Sequence, residues 1–211
     1  MNPTLRSLVG ARAAGAIDPS SSALLLIDFQ NEYFGGALPI PDGAAAVAQA
    51  ARLLALADRV GMPVFHVRHV GAAGDPLFAE GGEGVAFHPS VRPAPHHTVL
   101  SKSMISSFAG TDLHARLQRS GVRTLIIAGL MTHMCVSTAA RDARQFGAAS
   151  YAVLLAADAC ATRDLPGWDG GELGHRELHR ATLTALADNF AEVLSTGAIL
   201  DLPVGSSTCL S

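Results

Sequence analysis

Ala23-Leu-Leu-Leu-Ile-Asp28 is a continuous apolar run of strand length that ends on an acid. A strand that is apolar at every position is buried on both faces, which is the pattern of a parallel sheet covered by helices. The run recurs along the chain. Pro63–His69, Thr98–Ser101, Arg123–Ala128, Ser150–Ala156 and Ala191–Leu194 read as further strands, with helices expected at Ala44–Val60, Thr111–Ser120, Met134–Phe146 and Gly174–Asn189. Gly61, Gly121 and Gly147 follow helices, where a left-handed residue closes the last turn. Strand and helix alternate throughout, which predicts a single α/β domain.

Composition narrows the function. The 211 residues are 49% hydrophobic and 16% charged, with a formal net charge of -3. Such a chain buries a core, so it is not of the disordered class. It has no run of Lys or Arg, which argues against nucleic acid or a membrane surface as partner and favours a small-molecule substrate. No stretch reaches the ~20 apolar residues of a membrane span, and Met1–Pro19 lacks the apolar centre of a secretory signal. Residues 1–20 read as a lead-in, 21–201 as the domain and 202–211 as a tail. Cys135, Cys160 and Cys209 are odd in number and widely spaced, which suits neither a disulfide framework nor a zinc site, and a cytoplasmic location is expected. Gly71–Pro95 is rich in Gly and Pro and has no period; a loop of that length in a compact domain is usually a lid or a pocket wall.

Ligands of open α/β sheets bind at the carboxyl ends of the strands, where strand order reverses. Three reactive residues fall at such ends. Asp28 ends the first strand, Lys102 follows the third, and Cys135 lies just past the fourth, where Gly129–His133 gives way to a helix. A thiol at a helix N-terminus is expected to have a lowered pKa and so a nucleophilic thiolate. Asp28 within reach of it would act as general base and then general acid, and Lys102 would hold Asp28 ionised. Each residue alone also has a plain structural reading: a buried thiol, a loop-capping acid, a solvated lysine.

Four blocks, Leu25–Phe34 (LLIDFQNEYF), Leu100–Leu113 (LSKSMISSFAGTDL), Ala128–Ala140 (AGLMTHMCVSTAA) and Ala157–Arg163 (ADACATR), together resemble the isochorismatase-like superfamily of cysteine hydrolases. The resemblance implies a Rossmann-like three-layer sandwich on a six-stranded parallel sheet in the order 3-2-1-4-5-6. It places the family's Asp-Lys-Cys triad on Asp28, Lys102 and Cys135. It also implies a cis peptide at Leu130–Met131, an oxyanion hole from the N–H groups of Met131 and Cys135, and a homodimer or homotetramer. The implied chemistry is attack by Cys135 on an amide, lactam or ureide carbonyl, expulsion of the amine and hydrolysis of a thioester. A nucleophilic cysteine favours this over the vinyl-ether hydrolysis of true isochorismatases, which do without it; a noncatalytic ligand-binding member of the fold is the third reading.

The rest of the pocket is read more coarsely. Gln30 and Tyr33 follow the acid where the family places substrate-facing groups, Phe87, Phe108 and Trp168 lie in loops near the same mouth, and His133 precedes the cysteine helix. His66, His69, His88, His96 and His97 cluster around the long loop, but His66 and His69 face opposite sides of a strand, and the Asp of the nicotinamidase metal set is missing. No metal and no cofactor are expected. Asp158 is read as fixing a turn, and Cys160 and Cys209 as bystanders.

Overall fold

The computed structural model describes residues 2–205; Cys209 lies outside them. A short helix α1 (Leu5–Leu8) leads into β1 (Ser22–Ile27), followed by α2 (Gly43–Val60), β2 (Val64–His69), β3 (Thr98–Lys102), α3 (Leu113–Arg119), β4 (Thr124–Leu130), α4 (Ser137–Asp142) and β5 (Ala152–Ala161). A two-stranded hairpin, β6 (Leu165–Pro166) and β7 (Glu172–Leu173), precedes α5 (His175–Asn189), β8 (Glu192–Leu194) and α6 (Thr196–Leu200). Six strands form one sheet in the order β3-β2-β1-β4-β5-β8, every pairing parallel. This is the expected order, with β8 as the sixth strand because the hairpin intervenes.

The apolar run of β1 is buried along its whole length. Leu24 and Leu26 pack with Leu53, Ala57 and Ile199, the side of α2 and α6, whereas Ala23, Leu25 and Ile27 pack with Leu117, Ala139 and Leu186, the side of α3, α4 and α5. One strand thus feeds both cores, the reason its pattern is continuous and not alternating. β1 and β4 close together because Gly129 pairs with Ile27: a Cβ there would stand 2.6 Å from the Ile27 carbonyl oxygen.

Two local expectations change. Met134–Phe146 is not one helix; Thr132–Val136 form a π turn, α4 begins at Ser137 and ends at Asp142, and a 3-10 turn covers Gly147–Ala149. β5 runs on to Ala161, with a register shift against β4 between Ile127 and Gly129, so Cys160 is a strand residue. The long loop is tied down by the stretch after Asp28. The N–H groups of Asn31 and Glu32 donate to the carbonyls of Ala86 and Gly84, and that of His88 to Phe29. The Glu32 carboxylate is buried and accepts from the N–H groups of Ala37 and Phe78. Gly84 carries no Cβ where one would collide with that carboxylate.

Candidate active site

Asp28 leaves β1 with φ 54°, a left-handed conformation that Asp tolerates better than most residues, and the turn lifts its side chain off the strand end. Its N–H is held by the Val67 carbonyl at 2.8 Å. Lys102, the last residue of β3, reaches across β2 beneath the long loop, and both side chains are fully buried. Lys102 Nζ lies 2.9 Å from Asp28 Oδ2, donates to Cys135 Sγ at 3.3 Å and donates to the Met104 carbonyl at 3.1 Å. One ammonium therefore bridges carboxylate and thiol. Cys135 sits in the π turn after the cis peptide Leu130–Met131, whose Met131 carbonyl accepts from Met134 and Val136.

The electrostatics of this group differ from the helix-terminus expectation. Burial, reinforced by the Asp28 charge, pushes the Cys135 thiol up to about 12, against the pull of Lys102. The sequence predicted a lowered pKa; the six-residue α4 starts two positions later, and desolvation outweighs what its terminus and Lys102 offer. Burial also raises Asp28 above the ordinary carboxylate range, more than Lys102 lowers it. A buried carboxylate that holds a proton more readily than usual is suited to take one from the thiol and return it to a leaving group.

Asp28 and Cys135 line a cavity of about 340 Å3, with Lys102 buried behind them. Its wall is mostly apolar, with Leu38, Leu77, Phe78, Ile105, Met131 and Met134, and His69 and Arg163 add polar groups. Phe78 holds φ 54° and packs edge-on against Tyr33 and His69, with ring centroids 5.1 and 5.3 Å apart. Burial and the Lys102 charge lower the pKa of His69, so its ring is more readily neutral than usual.

Of the expected substrate-facing residues, Tyr33 lines this cavity and the others do not. Gln30 is fully buried and its amide is spent on the chain: Nε2 donates to the carbonyls of His69 and Val85, and Oε1 accepts from the His69 N–H. Phe87 turns to the other side, edge-on to His66 with Arg68 above its ring. Phe108 packs into the core with Phe146 and Tyr151. His133 flanks the site but is held through Nδ1 by Thr162 Oγ1 at 2.6 Å. Trp168 is 99% exposed in the hairpin turn of this chain. The sequence reading missed Phe78, Ile105 and Arg163; His69, named among the histidines around the long loop, faces the cavity. Arg163 stood in the last of the four blocks, and a cation just past a strand end was the available signal. Asp158 accepts from the Thr196 N–H at 2.6 Å, and Cys160 is buried with its thiol pushed up to about 12.

A second polar cluster lies under the end of α2. Asp58, His96 and His97 bring their donor atoms within 4.8 Å of one another, the geometry of a potential metal set. Their hydrogen bonds favour a proton instead. The Ala94 N–H donates to His97 Nδ1 at 3.0 Å, so the neutral ring carries its hydrogen on Nε2, 2.8 Å from Asp58 Oδ1, where a metal would have to bind. His66 Nε2 closes the chain 3.1 Å from His97 Nδ1, while His69 points to the cavity on the opposite face.

The isochorismatase domain matches residues 22–198, and the chain belongs to that family. The uncharacterized isochorismatase family protein YddQ of Bacillus subtilis is 38% identical over 182 residues, covering 85% of this chain and 99% of YddQ. An isochorismatase crystal structure from Pseudomonas putida superposes with a TM-score of 0.87 at 37% identity, over 94% of this chain and all of the other. The maleamate amidohydrolase of Pseudomonas putida is 39% identical over 145 residues, 59% of this chain and 66% of that enzyme.

Proposed function

We propose that this chain is a cysteine amidohydrolase that cleaves an amide, lactam or ureide C–N bond of a small molecule through a thioester on Cys135. The observation that carries the reading is the bridge of Lys102 Nζ between Asp28 Oδ2 and Cys135 Sγ, at 2.9 and 3.3 Å, at the base of a cavity. Kinship with a maleamate amidohydrolase supports the bond type.

In the proposed cycle Cys135 Sγ attacks the carbonyl carbon as its proton passes to Asp28. With the thiol pushed up to about 12, transfer accompanies attack and no standing thiolate is needed. The N–H groups of Met131 and Cys135 receive the developing oxyanion. Asp28 then protonates the departing nitrogen, and the C–N bond breaks. Water, deprotonated by Asp28, splits the thioester and restores the thiol. The sum is amide plus water giving carboxylic acid plus amine. Lys102 keeps the carboxylate oriented and offsets the charge that the buried site would otherwise hold alone.

A panel of nicotinamide, carbamoyl compounds, half-amides and lactams, read by ammonia release or mass change, tests this. Turnover that disappears in Cys135→Ala supports it; cleavage of isochorismate with no amide turned over would move the reading to vinyl-ether hydrolysis. The same proposal includes a cytoplasmic location, supported by the free thiols Cys135 and Cys160, and a homo-oligomer, supported by the exposed Trp168. No helix among the described residues is long and apolar enough to cross a membrane.

A further inference from the structure

Arg163 lies two residues past β5 and forms part of the cavity wall. Its neighbours leave its charge unanswered. Its Nε is buried without a partner, and Nη1 donates only to the Asp164 carbonyl at 3.3 Å. Among the described residues no carboxylate stands within 4.0 Å of it.

The acids that could neutralise it are committed elsewhere. Asp164, next in sequence, accepts from the N–H and Nδ1 of His175 at 2.6 and 2.7 Å. Asp75, on the same cavity wall, accepts from the Ala72 N–H at 2.7 Å, and Asp28 is paired with Lys102. Of the two cations of this site, Lys102 is balanced and Arg163 is not. Its charge is felt in the pocket: it opposes the larger rise that burial imposes on the pKa of Tyr33, and it adds to the lowering that burial causes at His133. A guanidinium with a donor stranded in a mostly apolar wall is the arrangement that an incoming carboxylate satisfies, by two charge-assisted hydrogen bonds in low dielectric.

We infer that Arg163 is the carboxylate-binding subsite of this enzyme, and that its substrates are short amides or carbamoyl compounds bearing a carboxylate at the end remote from the scissile bond. This rests on the amidohydrolase reading for the scissile end only. The cavity, about 340 Å3, is near the lower end of ligand-site volumes and limits the substrate to a few carbons between the two groups.

Two measurements separate this inference from that reading. The first is kcat/KM for matched pairs of equal length, maleamate against isocrotonamide, which shares its cis double bond, and succinamate against butyramide, in the wild-type chain and in Arg163→Gln and Arg163→Lys. The wild type is expected to favour the acid by about 10- to 100-fold. Arg163→Gln should bring that ratio close to one, mainly through KM, with Arg163→Lys in between. An equal ratio in wild type and Arg163→Gln overturns the inference.

The second measurement needs no turnover. Maleate and succinate are titrated calorimetrically into Cys135→Ala and into Cys135→Ala/Arg163→Gln, with circular dichroism verifying that both fold. Binding weakened about tenfold or more by the second substitution supports the subsite, even if every amide proves inert and the hydrolase reading fails. Binding equal in the two proteins, or absent from both, rejects it.

Discussion

Asp28, Lys102 and Cys135 form one chain of three titratable side chains in this molecule, and Asp58, His97 and His66 form another. Both are acid, base and a third group in sequence, and both adjoin a depression, of about 340 Å3 for the first and 400 Å3 for the second. They differ in what is left over. In the second chain Asp58 Oδ1 accepts from His97, and His97 Nδ1 accepts the Ala94 N–H, so the cluster satisfies itself. In the first, the Asp28 oxygens have no aligned hydrogen-bond donor, the thiol sits at a cavity, and an unanswered arginine shares the wall. A titratable cluster becomes a site only where its hydrogen bonding is incomplete without a ligand.

Substitution should separate the two most sharply. Cys135→Ala is expected to lower kcat by on the order of 10⁴-fold or more, as loss of a covalent nucleophile does, with an unchanged circular dichroism spectrum. His97→Phe, in the other chain, should leave kcat/KM within about threefold and lower stability by about 1–3 kcal/mol in urea unfolding. A loss of turnover in His97→Phe comparable with that in Cys135→Ala would break the distinction.

Lys102→Met comes next. It removes the countercharge and should cost on the order of 10²- to 10⁴-fold in kcat/KM. It also leaves Asp28 buried alone, with its pKa raised further. Folding then opposes ionisation of that carboxylate, so stability is fully present at low pH and is lost as pH rises through the folded-state value. The destabilisation of Lys102→Met relative to wild type should therefore grow from pH 5 to pH 8, by up to about 3 kcal/mol. A pH-independent difference would show that Asp28 and Lys102 are not electrostatically coupled.

The second chain has the opposite pH signature. Burial, with a smaller push from His97, lowers His66 to about 4 from 6.5. Unfolded protein binds this proton near 6.5 and folded protein only near 4, so stability from this group is complete above 6.5 and is lost as pH falls towards 4, at most about 3 kcal/mol. Urea midpoints at pH 7 and pH 4.5 should differ less in His66→Gln than in wild type. The smallest effect concerns the thiols. Iodoacetamide should label Cys135 slowly at pH 7 and faster as pH rises, and Cys160, without access to the cavity, more slowly still. Cys160→Ala should cost about 1 kcal/mol and leave kcat/KM within about twofold.

The strands and their parallel sheet were legible because they follow from local rules, apolar runs setting the strands; the strand order and the assignment of Asp28, Lys102 and Cys135 came from the resemblance of four sequence blocks, and the structure brings those three side chains together. The pocket wall was not legible, because proximity in sequence does not say where a side chain turns. Gln30 follows Asp28 by two residues yet spends its amide on the carbonyls of His69, at the end of β2, and of Val85 in the loop, and Phe108 follows Lys102 by six yet packs into the core. Phe78 and Arg163 come from segments distant from the triad in the chain, and only the folded loop and the end of β5 bring them to the cavity. The Cys135 environment was misjudged for a related reason: the helix was expected from Met134 whereas α4 starts at Ser137, and depth of burial does not show in a local pattern.

The central claim is that Cys135 carries the acyl group. Acid-quenching the enzyme during turnover of its best amide from the panel, followed by intact-mass and peptide mass spectrometry, tests it directly. The predicted result is a mass increase equal to the substrate acyl group minus one hydrogen, located on the Cys135 peptide and absent from Cys135→Ala. Full turnover by Cys135→Ala, or an adduct on any other residue, would contradict it.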